Sequence, residues 1–262
     1  TSGLFADKNV GTNKLVTVSL ASGDFAASGS TLLSNYGLPT TASGNIGEIT
    51  AKSLTASYSG SNKVYSGNTT ATVTGTSSDI VNGDAINFSQ TASFVDKNAA
   101  NGKTINISGI SLSGADAGNY SLQNTTATTT ANITAKALTA SYTGTNKVYD
   151  QLTGATVTGS SSDIVNGDAV TFAQTAVFTN KNVGTGKTIN ISSIVLGGAD
   201  AGNYSLQNTT ATTTASITAK TLTVAYTGNN RVYDQSTAAT VNDTISGLIS
   251  GDTVSVSETA TF

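Results

Sequence analysis

The chain contains no cysteine, histidine, methionine or tryptophan, and only one proline. Without cysteine, no disulfide can staple a small domain, so each folding unit has to close an apolar core of its own. The lack fits the cytosol, and it fits equally a secreted chain that stays free of disulfides during export. Nucleophilic catalysis lacks its usual parts, with no histidine base, no cysteine nucleophile and glutamate only at Glu48 and Glu258. Charge is scarce as well: charged residues make up 10%, against about 25% in ordinary soluble domains. A net charge of −3 and a pI near 4.7 argue against nucleic acid, which selects a basic stripe, and the lysines here are scattered. No apolar run approaches the roughly 18 residues of a membrane span, and no stretch reads as a signal peptide.

What fills the chain instead is a repeat. Ile-Thr-Ala-Lys begins at Ile49, Ile133 and Ile217, a period of 84 residues. Tyr65, Tyr149 and Tyr233 align in that period, as do Asp84, Asp168 and Asp252, and Tyr36, Tyr120 and Tyr204. About three residues in four are identical between the two complete copies. A period this long and this strict is one folding unit copied end to end. The divisions are 1–51, the later part of a repeat; 52–135 and 136–219, complete repeats; and 220–262, the earlier part of a repeat. Phe262 is the counterpart of Phe94 and Phe178. The joints fall at Ala51-Lys52, Ala135-Lys136 and Ala219-Lys220, with no spacer, which predicts little bending between neighbours.

Within a copy the apolar pattern has period two, the strand signal. Leu138, Ala140 and Tyr142 share one parity, and so do Val170, Phe172, Ala176 and Phe178. Ile189 and Ile191 are followed by Ile194 and Leu196, a change of parity that predicts a bulge or break near Ser192-Ser193. Tyr204 and Leu206 open the last stretch, and Ala211, Thr213, Ala215 and Ile217 close it. Turn formers separate these runs, and no window carries an apolar stripe at helical spacing. The expectation is an all-β unit of about six or seven strands forming two packed antiparallel sheets, a small Ig-like or β-grasp-like sandwich. Tandem copies would form an elongated rod, whereas a solenoid would show a sub-period of about 20–30 residues, and none is present.

Few segments invite a chemical reading. Gly184-Thr185-Gly186-Lys187-Thr188 lacks the first glycine of a phosphate loop, has Lys181 in its place, and precedes a strand rather than a helix, so it reads as a turn. Asp79 to Asp84, repeated at Asp163 to Asp168, offers oxygens to Ca²⁺, but the third copy has Gly247 in place of the first aspartate. A turn with Asn-Gly at positive φ is the simpler reading. Gly114 to Tyr120, repeated at Gly198 to Tyr204, predicts a buried tyrosine whose hydroxyl reaches a neighbouring loop, with the aspartate bonding local N–H groups. Lys147 or Lys181 could enter an isopeptide crosslink, but no buried acid is at hand to promote it. Sequons at Asn87, Asn106, Asn119 and Asn124 leave sugar attachment open. No catalytic, cofactor-binding or metal-binding residue is assigned, and no cofactor is expected.

The strings Lys147-Val148-Tyr149-Asp150, Phe5-Ala6-Asp7-Lys8-Asn9-Val10-Gly11-Thr12, Gly-Ala-Asp-Ala-Gly-Asn-Tyr and Ile-Thr-Ala-Lys occur in fixed order. Together they resemble the YDG/MBG-type repeats of large bacterial surface adhesins, often filamentous-haemagglutinin-like. The hallmark Tyr-Asp-Gly stands here as Tyr65-Ser66-Gly67, Tyr149-Asp150-Gln151 and Tyr233-Asp234-Gln235. The resemblance implies a non-enzymatic stalk or fibre segment, exported to the bacterial cell surface, that projects a binding tip. Its partners would be adjacent repeats of the same chain, further copies of itself, and a receptor the sequence does not name. Two other classes stay open. In one, every repeat binds glycan or protein weakly and avidity multiplies the sites; exposed Tyr58, Tyr142 and Tyr226 would be its sign. In the other, a neighbouring chain completes the ends in a self-assembling fibre or surface layer.

Overall fold

The computed structural model describes residues 2–261, so the first residue of the 1–51 division and Phe262, at the end of the last, lie outside the described residues. The chain divides at Thr134/Ala135 into two compact units. Both are all-β: among the described residues, their only helical turns are short 3-10 pieces such as Ala117–Asn119 and Ala201–Asn203.

The first unit holds β1 (Gly3–Phe5), β2 (Gly11–Ser19), β3 (Thr41–Ile49), β4 (Lys52–Leu54), β5 (Ser57–Gly60), β6 (Lys63–Val64), β7 (Val73–Thr76), β8 (Asn87–Phe94), β9 (Ala100–Ser113), β10 (Tyr120–Leu122) and β11 (Thr126–Thr134). The second holds β12 (Lys136–Leu138), β13 (Ser141–Gly144), β14 (Lys147–Val148), β15 (Val157–Ser160), β16 (Thr171–Phe178), β17 (Gly184–Gly197), β18 (Tyr204–Leu206), β19 (Ala211–Thr218), β20 (Thr223–Gly228), β21 (Ala238–Ala239), β22 (Val241–Ser246) and β23 (Ala260–Thr261).

In the first complete repeat a four-stranded sheet, β6-β11-β9-β8, is covered by the hairpin β5–β7. In the second, β14-β19-β17-β16 is covered by β13–β15. Alternation sends one face of each strand inward. Phe178, Ile189, Ile191, Ile194, Ala215 and Ile217 are buried with Ala140 under the hairpin, and Tyr142, Tyr149 and Phe172 pack at the margin. Phe94, Ile105, Ile107, Ile110, Ala131 and Ile133 are their buried counterparts in the first repeat. The hairpin lies very close to the sheet. A Cβ added at Gly60 would stand 2.7 Å from Ile105 Cδ1 and 2.9 Å from the Thr130 carbonyl oxygen. Only glycine allows that approach.

The parity change does mark a bulge. On β17, Ser192 pairs with Thr175 and Val195 with Ala173, so one extra residue is absorbed. Ser193 turns to φ +56 and its counterpart Gly109 to φ +65, which keeps Ile194 and Ile110 facing the core.

Two details depart from the sequence reading. Each complete repeat has eight strands, and its sheets are mixed rather than antiparallel. β4 runs parallel to β10, and β6 parallel to β11; β12 with β18 and β14 with β19 repeat this. Strands of two or three residues are too short to show alternation. Alternation in any case encodes a face and not the direction of the partner.

Candidate functional site

The polar residues aligned by the repeat meet at two loops. In the first complete repeat, Tyr120 sits at the end of the Gly114 to Tyr120 segment and is buried. Its hydroxyl donates to Asp84 Oδ2 at 2.7 Å and accepts from the Val81 N–H at 2.8 Å. Tyr204 does the same with Asp168 at 2.6 Å and Val165 at 2.8 Å. The tyrosine reaches the neighbouring loop as its sequence suggests. Asp116, however, does not bond local backbone. Its Oδ2 accepts from the Ala85 N–H at 2.9 Å, and Asp200 does the same for Ala169, so each aspartate pins the loop that its tyrosine reaches.

Residues 2–51 supply the missing cation. Lys8 Nζ lies 2.8 Å from Asp84 Oδ1 and 2.9 Å from Asp116 Oδ1. Beside it, the Val10 N–H donates to Asn119 Oδ1 at 2.9 Å, and Asn119 Nδ2 donates to Asn9 Oδ1 at 3.2 Å. Lys8, Val10, Asp84, Asn119 and Tyr120 are among the lining of a cleft of about 230 Å³, with Lys52 beside them. The Lys8 ammonium, and then the Tyr120 hydroxyl, hold the Asp84 carboxyl below its ordinary range. The Ala85 N–H, and then Lys8, do so for Asp116. Lys8 is raised by the same two carboxylates, and burial raises the Tyr120 phenol. The arrangement is a charge-assisted clamp between one repeat's later part and the next repeat's loops.

In the second unit the same kind of seam lies between residues 136–219 and 220–261. Tyr149, Val183, Leu222, Ile249, Asp252 and Val254 are among the lining of a cleft of about 470 Å³. Tyr149 donates to Asp252 Oδ1 at 3.3 Å. Asp252 is the counterpart of Asp84, so the same aspartate receives a group from the preceding part of the chain at both seams.

The other segments are engaged within the fold. Gly184 to Thr188 opens β17 instead of forming a separate turn, and Gly186 sits at φ +58 in a bulge between Gly184 and Lys187. In the Asp79 to Asp84 turn, glycine and not asparagine takes positive φ: Gly83 at +95°, with Gly167 and Gly251 alike. Asp79 Oδ2 accepts from the Thr55 N–H at 2.9 Å, and Asp163 from Thr139, tying the turn to the strand before it. Among the described residues, no group of three or more histidine, cysteine, aspartate or glutamate side chains gathers as a metal would need. Tyr58 and Tyr142 are half-buried, each edge-on to a phenylalanine at 6.3 Å, while Tyr226 is 50% exposed. Lys147 pairs with Asp150 at 2.7 Å, and Lys181 is exposed. Asn124 is engaged by the fold: its Oδ1 accepts from the Ala56 N–H at 2.8 Å, and its Nδ2 donates to the Ala56 and Thr126 carbonyls.

Two roles had escaped the sequence reading, those of Lys8 and of the Asn119 and Asn124 amides. Lys8 lies in Asp7-Lys8-Asn9-Val10, and its recurrence before an asparagine as Lys97 and Lys181 was the available signal. Among the described residues, no helix is long and apolar enough to cross a membrane. A family model described as the YDG domain matches residues 50–130 and again 134–214. No curated protein and no solved structure gives a match.

Proposed function

We propose that this chain, which belongs to the YDG-domain family, is a stalk or fibre segment of a secreted bacterial surface adhesin. Its work is mechanical spacing: repeats joined without spacers hold a binding tip away from the cell, and reach grows with copy number. The observation that carries the reading is the clamp in the first unit, where Lys8 is held by Asp84 and Asp116 and the Val10 N–H by Asn119. These residues do no chemistry on a substrate. They fix one repeat against the next, which is the requirement a spacer places on its joints. The half-buried packing of Tyr58 and Tyr142 against Phe88 and Phe172 leaves the complete repeats without the freely exposed ring that an avidity binder would present.

Antibodies raised against the chain should label intact cells that carry the gene, without lysis. Inserting one more 84-residue copy should lengthen the particle by roughly 30–40 Å in small-angle scattering, the span of a slightly elongated domain of that size. Labelling that needs lysis, or an insertion that adds no length, would sink the reading.

A further inference from the structure

The first and last segments of each complete repeat lie side by side and run the same way. Lys52, Ser53 and Leu54 stand opposite Tyr120, Ser121 and Leu122. Just beyond, the Gln123 N–H donates to the Leu54 carbonyl at 2.9 Å, and the Ala56 N–H to Asn124 Oδ1 at 2.8 Å. Gly60 follows against Thr130, and Lys63 and Val64 stand opposite Ile133 and Thr134. The Asn132 N–H donates to Asn62 Oδ1, and the Tyr65 N–H to the Thr134 carbonyl, both at 2.8 Å. Residues 52–65 are thus stitched in parallel to 120–134 from one end to the other. The second complete repeat is built alike. Lys136 to Leu138 lie beside Tyr204 to Leu206, and Lys147–Val148 beside Ile217–Thr218. There the Ser216 N–H donates to Asn146 Oδ1 at 2.7 Å, and the Tyr149 N–H to the Thr218 carbonyl at 2.9 Å.

The chain enters the first complete repeat at Lys52, at one end of the paired segments, and leaves it at Thr134, at the other. Tension on the chain therefore draws 52–65 backwards and 120–134 forwards along a common axis. Hydrogen bonds between strands cross that axis, so they carry the load together and have to break together. Were the entering and leaving segments antiparallel, both chain ends would lie on one side and the bonds would open one at a time. Side chains add to the hold. Leu54, Tyr65 and Ile133 are buried, and a slip of one residue would turn a strand's inward set to the wrong face.

We propose that each complete repeat is a load-bearing unit, a shear clamp that resists tension along the chain more strongly than tension across its paired segments. This goes beyond the stalk reading and does not need it. The resistance belongs to one repeat in solution, whereas surface labelling tests where the chain is placed, so the two can fail separately.

Single-molecule pulling tests the clamp, and the absence of native cysteine lets paired handles be placed at chosen sites. With handles at the two ends of the 262-residue chain, two high-force events are expected, one for each complete repeat. Each should release about 280 Å less the folded span, for 84 residues at about 3.4 Å apiece. With handles at Ser53→Cys and Ser121→Cys, exposed partners on β4 and β10, the first complete repeat is peeled from one end. It should then open at lower force for the same pulling speed. Asn62→Ala removes an acceptor at the far end of the clamp. It should shift one of the two end-to-end events to lower force, leave the other as an internal standard, and leave the peeling force unchanged. An end-to-end force no higher than the peeling force overturns the proposal. So does an Asn62→Ala change that leaves both end-to-end events as in the wild type, or that lowers the peeling force equally.

Discussion

The two complete repeats solve one electrostatic problem with opposite choices. In 52–134, Lys63 Nζ is held by Asn68 Oδ1 at 2.8 Å, and Lys103 is paired with the carboxylate of Asp96. In 136–218 the assignment is exchanged: Lys147 pairs with Asp150 at 2.7 Å, and Lys187 donates to the amide oxygen of Asn180 at 2.5 Å. At these two positions each repeat thus has one lysine–carboxylate pair and one lysine–amide pair, in swapped places. The ammonium groups nevertheless stay in place. Lys63 and Lys147 both lie 5.9 Å from a phenylalanine ring centroid, and both donate to main-chain carbonyls, at Asn68 and Thr70 or at Leu152 and Gly154. Position is set by the ring and the carbonyl cradle, and the charge of the acceptor is secondary. The exchange still leaves its mark on titration. Burial without a carboxylate partner lowers Lys63, whereas Asp96 and Asp150 are each lowered first by their lysine.

If the repeats share one core and differ only in this trim, truncations at matched core positions should cost the same. Ile105→Ala and Ile189→Ala should each cost about 2–5 kcal/mol in chemical unfolding. Hydrogen exchange read peptide by peptide should assign each loss to its own repeat. Costs that differ by more than about 1 kcal/mol at these two fully buried sites would break the equivalence. Next in size is the asparagine bracket. Asn124→Ala and Asn208→Ala each strand the N–H and carbonyl of a buried alanine, Ala56 or Ala140. Each should cost about 1–3 kcal/mol, with faster exchange at that alanine amide.

The smallest effects should fall on the exchanged pairs. The lysine beside each holds the folded pKa of Asp96 and of Asp150 below the ordinary aspartate value of 3.8. The stability they confer is therefore complete above that pH and is lost as pH falls through the lowered folded value. Asp96→Asn should flatten the acid limb of repeat 52–134 alone, and Asp150→Asn that of 136–218 alone. Asn180→Asp should steepen the limb in the second repeat. Both carboxylates are about half exposed, so melting temperature at neutral pH should move less than in the core and asparagine variants. An Asp150→Asn melting profile that tracks the wild type from pH 5 to pH 2 would mean that carbonyl cradle and ring alone hold Lys147.

Much of this was legible in the residues. The period fixed the copies, and the parity of Ile189, Ile191 and Ile194 located the bulge that the structure places at Ser193. The hydroxyls of Tyr120 and Tyr204 do reach the adjoining loop. The clamp was less legible. Lys8 is 76 residues from Asp84, and nothing in local spacing links a lysine to one carboxylate among many. The Asn124 bracket was hidden for a similar reason: an asparagine before Thr-Thr looks like a loop residue until strand β5 is set beside it.

By itself the sequence determined which side of every long strand faces inward, because successive side chains alternate across a pleated backbone and burying the wrong set would expose the core. It also determined how often that solution recurs. Only the tertiary structure decided which strands became partners and in which direction: β4 with β10 and β6 with β11 in parallel, and Lys8 with Asp84 and Asp116. Pairing and clamp alike depend on closure over long separations in the chain, where the energy lies in contacts between segments and leaves no mark on either segment alone.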